Sequence, residues 1–426
     1  MRIIPAAAVV AGCCLIAGLL TAPPVSAAPA APAAAQTFDD PDAGSFFPVD
    51  GNPVRVLDTR TGLGGRLGAV APRHTATAHI SSAGTPAAVI KVTVPGNAPA
   101  GSLSVYPSGT TWNGHVSMSL VGGSTISQQL TVRLGTDGGV TIRNNSATSV
   151  HLIVDVLGHY SAGMPTGLGT FAALNSRILD TRAGSPLAPG RKITLALPGH
   201  GGIPAAGADS VVLNIAVLSA RANGLLGVTD GDGTQATLHM RFAGNRTASL
   251  PMQTERVVKV GSDGRLTFSQ SSASSVHLVI DLMGYFLRTG DPQYPGPGVY
   301  GGRYSAISPK PILARVGSGF TTQLRLYQHQ PLTLYPQAYD FGTIAYNVVL
   351  SPDQPAQPTL LGLYDPEAPW KPTVTLSSTS ARQPTELTVH LGIDGGSELV
   401  NLSGAQWTYL HGWVTGYYDY AHCVNC

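Results

Sequence analysis

Two short stretches carry the residues best suited to chemistry, RVLDTRTG from Arg55 and RILDTRAG from Arg177. Each sets an Asp two residues before an Arg, Asp58 with Arg60 and Asp180 with Arg182. In an extended strand such pairs share a face. Two further acids, Asp155 and Asp281, stand inside the apolar runs VHLIVDVLGHY (150–160) and VHLVIDLMGYF (276–286). Paired carboxylates of unequal acidity are what a glycosidase needs. A carboxylate locked to a guanidinium fork is instead a brace. A third, related stretch helps to choose. PILARVGSG puts Ala314 where Asp58 would stand, and TYLHGWVTGYY (408–418) puts Trp413 where Asp155 would stand. The acids vanish together, as members of one buried network should, because a half-satisfied network is worse than an apolar replacement. The expectation is an internal clasp of Asp58, Arg60 and Asp155, repeated as Asp180, Arg182 and Asp281. Arg60 and Arg182 are the expected partners of the buried acids. A ligand site shared by the first two stretches and lost in the third is the competing reading.

Other chemistry has less support. No G-x-S-x-G elbow and no H-E-x-x-H occur in the sequence. PGHGGIP (198–204), with His200, has no partnered nucleophile and reads as a turn. TDGDGTQ (229–235) brings Asp230 and Asp232 together but lacks the alternating calcium ligands and their terminal Glu. Glutamate is confined to Glu255, Glu367, Glu386 and Glu398. A catalytic carboxylate pair is not expected, and the chain is read as a non-enzyme without cofactor or metal.

The elements that position these residues recur three times. The opening strands lie at Val54–Arg60, Ser176–Arg182 and Pro311–Arg315. TVRLGTDGG (131–139), VVKVGSDGR (257–265) and TVHLGIDGG (388–396) follow, and the apolar runs above close each unit. The period is domain-sized, about 120–130 residues. Within the first unit a period near two predicts eight strands: 54–60, 75–80, 88–94, 102–106, 116–121, 129–134, 140–144 and 150–156. Asp137-Gly138, Asp263-Gly264 and Asp394-Gly395 supply the positive φ of tight hairpin turns. The fold class is therefore all-β, three tandem β-sandwich domains of jelly-roll or immunoglobulin-like type. The expected boundaries are 45–162, 169–288 and a divergent 299–420.

Composition agrees. Charged residues make up 11% against about 25% in ordinary soluble domains, while Gly (51) and Pro (33) abound. Net charge is +2 with no basic cluster, so nucleic acid is not an expected partner. Residues 1–27 read as a secretory signal peptide, one Arg before an apolar run and a small-x-small site at Val25-Ser26-Ala27. Val10–Cys13 offers a lipobox as the lesser alternative. Residues 28–44 read as an Ala/Pro-rich linker. No transmembrane segment is expected after cleavage. In the tail, 421–426, Cys423 and Cys426 form a local disulfide, link to another chain or, with His422, hold a metal; the spacing leaves all three open.

The order LDTR, GxDG, VDVxGYY resembles a repeat module common in secreted actinobacterial proteins, found alone, in tandem, or beside wall hydrolases and proteases. The first two units match well and the third only in its later parts. Lys91 stands where the module often has the Asn seen at Asn214. The resemblance implies an extracellular β-rich module of the cell envelope or its surroundings, without an established activity.

The third unit differs in its aromatics: eleven of 15 Tyr and three of 4 Trp fall between Tyr300 and Tyr420. Rings with polar tips suit carbohydrate stacking and interfaces, though they also fill cores. Tyr409, Trp413, Tyr417, Tyr418, Tyr420 and Trp370 are the candidate binding residues. The sequence thus predicts a secreted, non-enzymatic binding or adhesion protein, free or associated with the envelope. It would recognise a glycan or a surface protein through the third unit, with the first two as spacers. A structural subunit, disulfide-linked or homo-oligomeric, and an accessory to a secreted hydrolase are the alternatives.

Overall fold

The structure is a computed structural model. It describes residues 43–420 except 97–99, 121–122, 124, 163–168, 206, 231–237, 243, 245–251, 289–301, 317–318, 323, 328–329, 337–342, 353–358, 365–371, 379–384, 392–396 and 403–406. The expected signal peptide, most of the linker, Trp370, Cys423 and Cys426 lie outside the described residues. Asp39–Cys426 form one compact unit.

The first repeat runs β1 (Gly44–Pro48), β2 (Val54–Asp58), β3 (Thr75–His79), β4 (Ala87–Val94), β5 (Gly101–Pro107), β6 (Met118–Leu120), β7 (Ile126–Arg133), β8 (Gly139–Asn144) and β9 (Ile153–Ala162). The eight strands read from alternation are all present, and β1 is additional. In β3, TATAH, the Ala residues are buried while Thr and His face solvent, so one face of the strand closes a core. Strands β2, β9, β4 and β7 form one sheet in that order, and β3, β8, β5 and β6 form the facing sheet. Chain order alternating between two four-stranded sheets in this way is a jelly roll.

The second repeat comprises β10 (Phe171–Asp180), β11 (Lys192–Ala196), β12 (Ser210–Leu218), β13 (Gly224–Asp230), β14 (Leu238–Phe242), β15 (Met252–Lys259), β16 (Arg265–Gln270) and β17 (His277–Phe286). Its sheets, β10-β17-β12-β15 and β11-β16-β13-β14, reproduce the same order. The third repeat adds an insertion, β19 (Leu313–Val316), β20 (Gly319–Thr321) and β21 (Leu324–Tyr327), after β18 (Gly302–Pro311). It continues as β22 (Pro331–Tyr335), β23 (Thr343–Pro352), β24 (Thr359–Tyr364), β25 (Pro372–Ser378), β26 (Thr385–His390), β27 (Ser397–Asn401) and β28 (Trp407–Tyr420). Its sheets contain β18-β28-β23-β26 and β22-β27-β24-β25. Each repeat is therefore a jelly roll.

The Asp-Gly turns need one correction. Gly138 and Gly264 do adopt positive φ, +74° and +71°. The turns do not close hairpins, because β7 and β8, like β15 and β16, belong to different sheets. They arch the chain from one sheet of the sandwich to the other. Asp394-Gly395 lies outside the described residues.

The repeats do not hang in a string. One 14-stranded sheet runs through all three, joined where β18 meets β1 and β10. Six rings meet at this junction: Phe46 and Tyr160, Phe171 and Phe286, Tyr304 and Tyr418. Each pair sits at the same place in its repeat, opposite one another in register. All six are at most 2% exposed. Burying a large apolar side chain contributes about 1.5–3 kcal/mol, so this hub is a principal adhesive between repeats. The closing strands carry a glycine two residues before each hub ring, Gly158, Gly284 and Gly416. A Cβ there would stand 2.4, 2.2 and 2.3 Å from the rings of Phe46, Phe171 and Tyr304 respectively. The G-x-aromatic ending of the repeat is thus the seat of a ring.

Candidate functional site

The Asp-Thr-Arg motif lies where the first strand of a repeat meets the last. In the first repeat Arg55 stands opposite Asp155 across β2 and β9. Its Nε donates to Asp155 Oδ1 at 2.8 Å, and its Nη1 lies 3.4 Å from Asp58 Oδ2. Lys91, from β4, approaches the other Asp155 oxygen at 3.2 Å. Strand β2 ends at Asp58, so Arg60 falls in the following turn and folds back. Its Nε and Nη2 donate to the two Asp58 oxygens at 2.9 and 2.7 Å, and its backbone N–H adds a third bond at 3.1 Å. This fork holds the Asp58 carboxyl down at about 2, against the opposing effect of burial.

The second repeat repeats the plan. Arg177 Nε and Nη2 donate to Asp281 at 2.7 and 3.2 Å, and Arg182 forks onto Asp180. Asp180 is held below the usual range, chiefly by its hydrogen bonds from Arg182. Asp281 is pushed up by burial, which outweighs Arg177. Here Asn214 takes the cross-strand place that Lys91 holds opposite Asp155. Among the described residues its buried amide has no hydrogen-bond partner, and the second cation acting on Asp281, Arg182, is forked onto Asp180 rather than bonded to it. The expected pairing is therefore corrected: Arg55 and Arg177, not Arg60 and Arg182, reach the buried acids of the closing strands.

The threonine between Asp and Arg has its own work. Thr59 Oγ1 accepts the Leu152 N–H at 2.9 Å, and Thr181 Oγ1 accepts the Leu278 N–H at 2.9 Å. Both lie within 3.1 Å of a histidine ring nitrogen, His151 Nδ1 and His277 Nδ1. All three motif residues thus act inside their own repeat, binding its opening edge to its closing strand.

In the third repeat Pro311 stands opposite Trp413, the positions of Arg55 and Asp155. Ala314 is fully buried where Asp58 stood. Trp413 is half-buried, and its ring centroid lies 6.3 Å from that of His115 in the first repeat. Nearby, Asn113 Nδ2 donates to Pro309 O at 2.8 Å, so this face is a seam between repeats. Burial depresses the His115 imidazole, against the opposing effect of its hydrogen bond with Val105 O.

The aromatic surface expected in the third repeat is corrected in part. Tyr418 is 1% exposed and its hydroxyl meets that of Tyr160 at 2.9 Å; Tyr417 is 5% exposed. Tyr418 packs against the hub rings of Phe171 and Tyr304, and Tyr417 lies in the apolar core of its repeat. Tyr409 and Tyr420 lie in the same strand, with side chains outside the described set. Two small clefts lie on the seams. A cleft of about 30 Å³ lies between the first and third repeats, lined by His115, Thr131, Thr415 and Glu386 among others. Another of about 20 Å³ lies between the first and second, beside Phe46, Leu157, Val257 and Lys259. Each has room for about one water molecule.

Sequence reasoning missed the residues that join repeats. Gln129, Glu255 and Glu386 each precede the GxDG-bearing motif by two positions. Glu386 accepts the Thr131 N–H at 3.0 and 2.9 Å, and Glu255 accepts the Thr388 N–H at 2.7 Å. Gln129 Nε2 donates to Val257 O at 3.3 Å. The signal was visible as two of the four glutamates falling at one repeat position.

No family model matches the chain, and no curated protein matches it. Among solved structures it is similar to a chain from the atomic structure of Sulfolobus Turreted Icosahedral Virus, at 11% identity and TM-score 0.18, covering 89% of this chain and 92% of that one. It is also similar to a chain from an archaeal virus described by its triple jelly roll fold and turret assembly, at 10% identity, TM-score 0.18 and 89% and 90% coverage. The N-terminal CBM22-1–CBM22-2 tandem domain of Paenibacillus barcinonensis Xyn10C matches at 9% identity and TM-score 0.15, over 49% of this chain and 81% of that one.

Proposed function

We propose that the chain is an exported, non-enzymatic structural subunit of the cell surface or its surroundings. It works as one block of three jelly rolls and meets partners through its outer faces. The observation that carries this reading is the fate of the third repeat's rings. Tyr304 and Tyr418 are buried in the hub, and Trp413 packs toward His115, so these aromatics hold repeats together. The Asp–Arg pairs support it as well: Asp58 and Asp180 have their oxygens engaged by guanidinium forks and are held ionised, which suits a clasp better than a proton donor. Among the described residues no helix is long and apolar enough to cross a membrane.

Glycan binding is the second reading. One observation favours it: Trp112 is partly exposed and carries the Arg143 guanidinium 4.7 Å above its ring, a polar-edged aromatic surface outside the hub. Chemical cross-linking on intact producing cells, with retention assays on insoluble envelope polysaccharide, separates the readings. The structural reading expects cross-linked species containing several protein chains, and any glycan retention unchanged by Trp112→Ala or Trp413→Ala. Loss of retention in either variant moves the assignment to glycan binding. Release of soluble sugars or peptides from the polysaccharide overturns the non-enzymatic assignment.

A further inference from the structure

Three edge strands, β7, β15 and β26, end the sheets that face neighbouring repeats. An edge strand leaves backbone N–H and C=O groups without partners and invites foreign strands. At the same position in each, a side chain from another repeat covers that edge. Gln129 reaches Val257 O, Glu255 takes the Thr388 N–H, and Glu386 takes the Thr131 N–H. The contacts run from first to second repeat, second to third, and third to first. They close a cycle, the arrangement of a ring with head-to-tail interfaces. Two of its three members are carboxyl groups.

We infer that Glu255 and Glu386 are a proton-operated latch on the seams of the third repeat, holding it closed when protonated and loosening it as pH rises. Glu386 is buried, and Glu255 keeps a partial opening to solvent. Hydrogen bonds from Thr388 and Thr131 favour their ionised forms, but burial outweighs them. Arg256, itself buried on β15, is a cation whose charge acts on both acids, and its own Nη1 donates to Thr254 Oγ1 and Glu255 O. Tyr160, Tyr304 and Tyr418 face them from β9, β18 and β28, and burial raises all three phenols, which stay neutral. Thr388 Oγ1 lies between Glu255 Oε1 and Asn347 Oδ1, and His115 and Arg133 line the cleft beside Glu386. Desolvation pushes Glu386 up to about 8 and Glu255 up to about 7, from an ordinary 4.5. A carboxyl with a higher pKa folded than unfolded binds more protons in the folded state. Its contribution is complete below the unfolded value and is lost as pH climbs through the folded one.

Gln129 shows that an amide fits this position, so Glu→Gln variants suit the test. Thermal midpoints of the full chain between about pH 5 and pH 9 would be compared for the wild type, Glu255→Gln, Glu386→Gln and both together. Amide exchange of Thr131 and Thr388, normalised to intrinsic rates, would be followed alongside. The wild-type midpoint should fall across the range relative to the double variant, with Thr131 and Thr388 losing at least about tenfold protection. The double variant should show a flatter profile and the higher midpoint at the alkaline end. Parallel profiles for wild type and double variant, or unchanged protection in the wild type, overturn the latch. Should the double variant not fold, each single variant is read in the same way, and unchanged Thr131 and Thr388 protection in the wild type is sufficient to refute the inference.

Discussion

Replacing Arg177 by Met should destabilise the protein more than replacing Arg55 by Met, although the two arginines occupy the same place in successive repeats. Asp281 has a side chain 7% exposed, and Arg177 is its ion-pair partner at 2.7 Å. Met keeps most of the stem and removes the charge, leaving a buried carboxylate with only the unbonded charge of Arg182, itself forked onto Asp180. Stranding a buried charge costs about 3–5 kcal/mol. Arg177 is itself 39% exposed, so water can enter, and about 3 kcal/mol is the expected loss. For a unit of this length that lowers the thermal midpoint by about 4 °C if unfolding is cooperative. Asp155 keeps Lys91 at 3.2 Å when Arg55 is lost, so Arg55→Met should cost only about 1 kcal/mol. Urea unfolding at neutral pH measures both. The Arg177→Met deficit should shrink as acidification protonates Asp281, whose pKa the substitution raises further. Adding Asp281→Leu should recover most of the loss, as Pro311 and Trp413 replace the pair in the third repeat. Equal losses for the two arginines, or no recovery in the double variant, would refute the clasp.

Gly284→Ala should cost about 1–3 kcal/mol, because its Cβ would lie 2.2 Å from Phe171 Cζ and the hub ring would have to move; urea titration reads the loss. Thr181→Val keeps shape but strands the Leu278 N–H, and should lower stability by about 1–3 kcal/mol with increased exchange at that amide.

The strands were legible because their faces alternate, as in the buried Ala and exposed Thr of β3. Beyond the first-to-last contact that the clasp implied, the order of strands in the sheets was not, since it depends on pairings such as β4 with β9, about 65 residues apart, which no local pattern records. The hairpin reading of Asp137-Gly138 failed for the same reason: local φ preference fixes a turn, while the partner sheet is a tertiary outcome. The clasp was half legible. Loss of both acids in the third repeat pointed to one network, but the period-two argument carried Arg60 into a strand that stops at Asp58. The rings of the third repeat were assigned to a surface because a strand has two faces; Tyr418 instead packs on Phe171 and Tyr304 in the hub, and Tyr417 lies in the apolar core. The strand β1 and its Phe46 escaped because they precede the first recognisable motif.

Small-angle scattering of the purified chain in dilute solution tests the claim on which the functional reading rests, that the three repeats form one block. A compact unit of this length should give a radius of gyration of about 21 Å, somewhat increased by any N-terminal segment. Three jelly rolls strung on linkers would give about 35 Å, and that value would contradict the account.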